Sequence, residues 1–213
     1  TSINVSGTSN LGADVTTTGD QTYTGNAIIS ADITLTGGSQ LTFAGTVDSS
    51  NTTGTTDTDA LSTSFTETEF DGEVGGTYGL GAIIITGALD LDANITSATS
   101  LSVSTTSNLG ADVTTSGSQT YTGAVTLSAD NTLTTTSDGS VSFGLTTNGA
   151  QTLSITTDGM GDVTFTDDVG GSAGLNGLTI STNDFNAVDL KVGGNISITN
   201  TGTSSDITGV IAN

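Results

Sequence analysis

Three oxygen-bearing side chains, Asp90, Asp92 and Asn94, alternate with Leu89, Leu91, Ala93 and Ile95. Neighbours in an extended chain point to opposite faces, so this spacing puts the three on one outer surface, where they could ligate a hard cation such as calcium. The stretch is not an EF-hand loop, which needs its sixth-position Gly and a terminal Glu. Its nearest internal counterpart, VDLKV from Val188, carries Lys191 where Asp92 stands, so a cation is not required in every copy. A second acidic group, Glu67, Glu69, Asp71 and Glu73, lies with Asp57 and Asp59 between residues 51 and 76. Asp167 and Asp168 could form an acid/base couple for polysaccharide cleavage. Strand neighbours face apart, however, and neither Arg nor Trp is present to hold a sugar, so a solvated strand end is the plainer reading.

Most other chemistry is closed to the chain. It has no His and no Cys, which removes the Ser-His-Asp set, the thiolate nucleophile and the imidazole metal site. GGSAGLNG at Gly170 has no helical pattern behind it and reads as a turn, not a phosphate loop. No enzyme is expected, and calcium is the single cofactor candidate.

The charge is lopsided: 22 carboxylates stand against one base, Lys191, for a formal charge of −21. Nucleic acid is excluded as a partner, since phosphate neutralisation needs clustered Lys and Arg. No apolar run approaches the ~20 residues that span a bilayer, so membrane insertion is not expected. Absent Cys fits either a reducing cytosol or an extracellular protein without disulfides, and the near-absence of sites for a trypsin-like protease tips the reading to an extracellular or cell-surface location. No signal-peptide pattern begins at Thr1, which reads as a mature or excised chain.

The elements that position these groups follow from a repeat. TSNLGADVTTTGDQTYTG at Thr8 returns as TSNLGADVTTSGSQTYTG at Thr106, an offset of 98 residues. VGGTYGLGAIIIT at Val74 returns as VGGSAGLNGLTIS at Val169, an offset of 95. The predicted division is a first repeat over 1–105, a second over 106–195 and the start of a third over 196–213, forming one continuous solenoid. Within each repeat, short period-two runs such as VTLSA, SVSFG and QTLSIT are separated by Gly, Asn, Asp or Ser, which is a strand pattern with no sustained helix.

Such strands could pair as antiparallel sandwiches or wind into a parallel β-helix. With only 32% hydrophobic and 4% aromatic residues, the narrow core of a β-helix fits better. The predicted fold is all-β, a β-solenoid of roughly ten coils. Its repeat core is Tyr23, Ile29, Leu35 and Phe43, matched by Tyr121, Leu127, Leu133 and Phe143, with Thr and Ser facing out. The two tyrosines are expected at equivalent packing stations, each ring about half-buried in the thin core. Thr-x-Thr pairs such as Thr22/Thr24 and Thr132/Thr134 resemble ice-binding surfaces, but their spacing in sequence is not one coil.

GDQTYTG followed by AIISADITLTG, repeated as GSQTYTG with AVTLSADNTLT, resembles the repeats of large bacterial surface and secreted proteins of the filamentous-haemagglutinin-like and autotransporter type. The resemblance implies a right-handed parallel β-helix and a structural module of an adhesin or surface filament, a stiff rod that associates with itself end to end or laterally and meets other cells or surfaces. A calcium-dependent surface-layer or binding module is the alternative, and a polysaccharide-cleaving β-helix enzyme the second.

Overall fold

The computed structural model describes residues 1–50, 59–209 and 211–212. Its strands are short, mostly three to five residues, and every pairing between them is parallel, which rules out the antiparallel sandwich. Among the described residues there is no helix.

Each turn of chain passes three strand stations before it stacks on the turn below, giving a β-solenoid of about ten turns. The first face begins with Ile3–Val5, Gln21–Tyr23, Gln40–Phe43 and Glu67–Phe70. The second begins with Ser9–Leu11, Ala27–Ile29 and Val47–Ser49. The third begins with Val15–Thr16, Ile33–Thr36, Leu61–Ser64 and Leu80–Ile85. At about 4.8 Å per turn, ten turns make a rod roughly 50 Å long.

Alternation decides what goes inside. Ile29, Leu35, Leu127 and Leu133 are buried, and two inward residues per strand fill most stations. Parallel in-register stacking sets like side chains above one another, so rings form ladders: Tyr23 on Phe43 at 5.2 Å and Phe43 on Phe70 at 5.6 Å, both stacked. A second ladder joins Tyr121, Phe143 and Phe165 at 5.3 and 4.5 Å. Phe185 pairs with Val163 and not with Phe165, one inward position off the column, and therefore meets Phe165 edge-on. Stacking buries the tyrosines completely, at 1% and 0% exposure, which corrects the half-buried rings expected of a thin core.

The repeat does not match a whole number of turns. Ser9–Leu11 is the second station of turn one, while its copy Ser107–Leu109 is the first station of turn six, reached through the first-face pairings. The step is four turns and two stations, fourteen stations in all. Gln21–Tyr23 on the first face accordingly returns as Gln119–Tyr121 on the third. Val74 on the second face returns as Val169 on the first by the same step. Successive repeats are thus turned by one face around the rod.

Candidate functional site

Two structural classes stand out among the acidic residues. The first, four Asp with one Asn, ties turns together at the corners. Asp14, Asp32, Asn94, Asp112 and Asp130 occupy the same place in the phrases GAD, SAD, DAN, GAD and SAD. Each accepts the backbone N–H of the chain one turn on, from Thr34, Ala60, Asp112, Thr132 and Thr152, at 2.7–3.0 Å. A corner leaves an amide without a ladder partner, and a short carboxylate from the turn below supplies the acceptor. The two hydrogen bonds from Thr152 hold the Asp130 carboxyl below its ordinary range.

The second class converges on the outer side of the first face. Glu69 and Asp90 are register partners on adjacent rungs, and Asp71 and Asp92 follow them at the strand ends. Glu69, Asp71 and Asp92 each bring a carboxylate oxygen to within 4.8 Å of the others. Glu69 Oε2 accepts from Gln40 Nε2 at 2.9 Å and Thr42 Oγ1 at 3.0 Å, while Asp90 Oδ1 accepts from Asn108 Nδ2 at 2.8 Å. Burial raises the Glu69 carboxyl above its usual range; the Thr42 hydrogen bond opposes this, and the charges of Asp71, Asp90 and Glu67 add to it. Burial, then Asp90 and Asp71, raises Asp92 likewise. Three like charges in so small a space disfavour the ionised form, and a divalent cation would relieve that repulsion.

The sequence grouping is therefore redrawn. Asp92 joins Glu69 and Asp71, members of the second acidic group, and Asp90 stands beside them. Asn94 leaves the set, since it lies at a corner with its Oδ1 on the Asp112 amide. Glu73 accepts from Thr96 Oγ1, and buried Asp59 from Ser49 and Ser50 Oγ at 3.0 and 3.2 Å. Asp57 lies outside the described residues. Asp167 and Asp168 form a corner in which Asp167 Oδ1 accepts the Asp168 amide at 2.8 Å. Lys191 is exposed on the first face, five turns above Asp92.

The two tyrosines occupy equivalent packing stations. Tyr23 Oη donates to Gln21 Oε1 at 3.0 Å, and Gln21 Nε2 donates to Val15 O, Thr17 Oγ1 and Thr36 O at 3.0–3.2 Å. Tyr121 Oη donates to Gln119 Oε1 at 3.2 Å, and Gln119 Nε2 to Val113 O, Thr115 Oγ1 and Thr134 O at 2.9–3.3 Å. The network is the same group for group, and burial pushes both phenols up. Full burial with every polar group satisfied gives these tyrosines a packing role, with no surface left for a ligand.

The hydroxyl pair Thr132/Thr134 continues one turn at a time through Ser154/Thr156, Thr179/Ser181 and Ser197/Thr199, because Ser replaces Thr in the column. This regularity is hidden from a search for Thr alone. Comparison of the chain with family models, with curated proteins and with solved structures gave no match.

Proposed function

We propose that the chain is a non-catalytic structural module of an extracellular bacterial adhesin or surface filament, whose task is reach, stiffness and self-association. The observation that supports this reading is the three columns of parallel pairing, each about ten rungs long and carried through single bridges at Val74 and Val169. A solenoid of this kind bends only by breaking ladder hydrogen bonds, and strand edges at its ends accept further strands unless something covers them. The acidic surface keeps rods apart laterally at low salt, which directs association to the ends. Negative-stain imaging tests the proposal. Rods that join into filaments support it, and compact particles that never associate overturn it.

A second reading, a calcium-dependent surface-layer or binding module, is favoured by the convergence of Glu69, Asp71 and Asp92. Thermal unfolding followed during calcium titration separates the two. A rise in Tm that saturates at one ion supports the calcium reading, and a weak, salt-like response removes it. Polysaccharide cleavage would rest on Asp167 and Asp168, and full activity after changing both to Asn would end it.

A further inference from the structure

At turn four the second face has no full strand. Val74 makes only single bridges to Val47 and Ile95, and the chain that follows projects over the face. Gly75 makes the bend, with φ +69° and no room for a side chain, since a Cβ would lie 2.0 Å from Ser97 O. Turn three then grips the overhang from below: Asp48 Oδ1 accepts the amides of Thr77 and Tyr78 at 2.8 and 3.1 Å, and Ser49 N donates to Tyr78 O at 3.1 Å. The Tyr78 backbone is hydrogen-bonded to turn three while the residue as a whole is 45% exposed. Beneath it lies a groove of about 500 Å³. The outward rung Asn10, Ile28 and Asp48 lies along it, with Asn26 and Thr46 alongside.

The second repeat contains the same overhang without the ring. Val169 bridges Thr147 and Leu190, and Gly170 bends at φ +73°. Asn148 Oδ1 accepts the amides of Ser172 and Ala173 at 3.0 and 3.3 Å, and Gly149 N donates to Ala173 O at 3.2 Å. Its outward rung is Asn108, Thr126 and Asn148. Ala173 thus stands for Tyr78 and Thr126 for Ile28. The overhang forms identically with either residue, so the fold does not require the exposed ring.

We propose that the groove beneath Tyr78 binds a neutral saccharide. An exposed, pre-positioned phenol ring beside Ile28 offers an apolar platform for the C–H face of a sugar, and the amides of Asn10 and Asn26 offer donors and acceptors for its hydroxyls. Charge narrows the class. The groove contains one carboxylate, already holding two amides, and no cation, within a chain of −21 that repels anionic sugars. Other exposed apolar side chains, such as Ile84 and Met160, are not among the residues lining this groove. The proposal deepens the adhesin reading and rests on it for its setting; failure of rod formation shows in imaging, independently of any sugar.

The test titrates the full chain with chitotriose, cellotriose and mannotriose while the ring resonances of all three tyrosines are followed. At least one trisaccharide is expected to saturate at one per chain, moving Tyr78 and leaving Tyr23 and Tyr121 unchanged. Tyr78→Ala, which reproduces the second repeat, should weaken binding at least about tenfold with Tm unchanged. The second repeat carries Ala124 where Asn26 stands, so Ala173→Tyr with Thr126→Ile and Ala124→Asn should raise the stoichiometry to two. Silence of all three probes at millimolar concentration overturns the proposal. So does binding that survives Tyr78→Ala, or a preference for a lysine-rich peptide over every sugar, which would mark the ring as a cation platform.

Discussion

Gln21–Tyr23 and Gln119–Tyr121 share a phrase, a hydrogen-bond network and a ring stack, yet they sit on different faces of the rod. Neither copy has a distinct environment to adapt to, because the inward side of each station meets the same things: a neighbouring corner, a strand below and a strand above. The strand station with its corner is therefore the unit that the sequence repeats, and the turn is assembled from three such units. Outward positions carry no such constraint. Between the same two repeats Tyr78 becomes Ala173, Ile28 becomes Thr126 and Asp48 becomes Asn148, while the backbone hydrogen bonds persist. Packing is copied and surface is free to differ.

The sharpest way to break this comparison is to truncate each tyrosine. Tyr23→Ala and Tyr121→Ala should each cost about 3–5 kcal/mol, the range for fully buried aromatics, and should agree to within about 1 kcal/mol. Chemical denaturation measures both. A large inequality would mean that the faces are not interchangeable.

Smaller effects probe the overhangs. Gly75→Ala and Gly170→Ala place a side chain at positive φ against a carbonyl oxygen 2.0–2.1 Å away, and each should cost about 1–3 kcal/mol in the same assay. Equal losses would extend the equivalence of the repeats to their loops, and a harmless Gly170→Ala would confine it to the core.

The smallest effects are electrostatic and separate the two classes of acid. The carboxyls of Glu69 and Asp92 are raised, so their contribution to stability is full below the ordinary carboxylate range and is lost as pH rises through their folded values. Asp92→Asn should therefore stabilise the chain at pH 7, by under about 1 kcal/mol at this exposed position, and change nothing at pH 3. Asp130 is lowered, so its contribution is present above the ordinary range and lost as pH falls through its folded value. Asp130→Ala should destabilise at pH 7 and have less effect in acid. Stability curves against pH check both signs.

Strand alternation made the solenoid legible, since Leu35, Leu127 and Leu133 each lie between two hydroxyl residues and each is buried. The acidic cluster was legible only in pieces. Asp92 lies near Asp90 in sequence, but its partners Glu69 and Asp71 belong to the turn below, and turn length on the first face varies from the 18 residues between Ile3 and Gln21 to the 27 between Leu41 and Thr68. No fixed period predicts which residues then stack. Asn94 is exposed like Asp92, as alternation predicts, but it lies past the corner, where its Oδ1 takes the Asp112 amide, and that engagement shows only in the stack. The corner ties had a signal in the recurring Asp of GAD and SAD, but hydrogen bonding to the next turn is a property of the stack and not of the phrase.

The parallel stacking and its phase can be tested in one experiment, because the chain has no cysteine to interfere. Thr120 is the register partner of Ser102 below and Ser142 above, whereas a hairpin of Gln119–Tyr121 with Val125–Leu127 would set Thr120 opposite Thr126. Adjacent rungs lie within disulfide reach. Thr120→Cys should crosslink under mild oxidation to Ser102→Cys and to Ser142→Cys in the respective double variants, and should not crosslink to Thr126→Cys. A disulfide between positions 120 and 126, with none to 102 or 142, would contradict the solenoid and the fourteen-station repeat built on it.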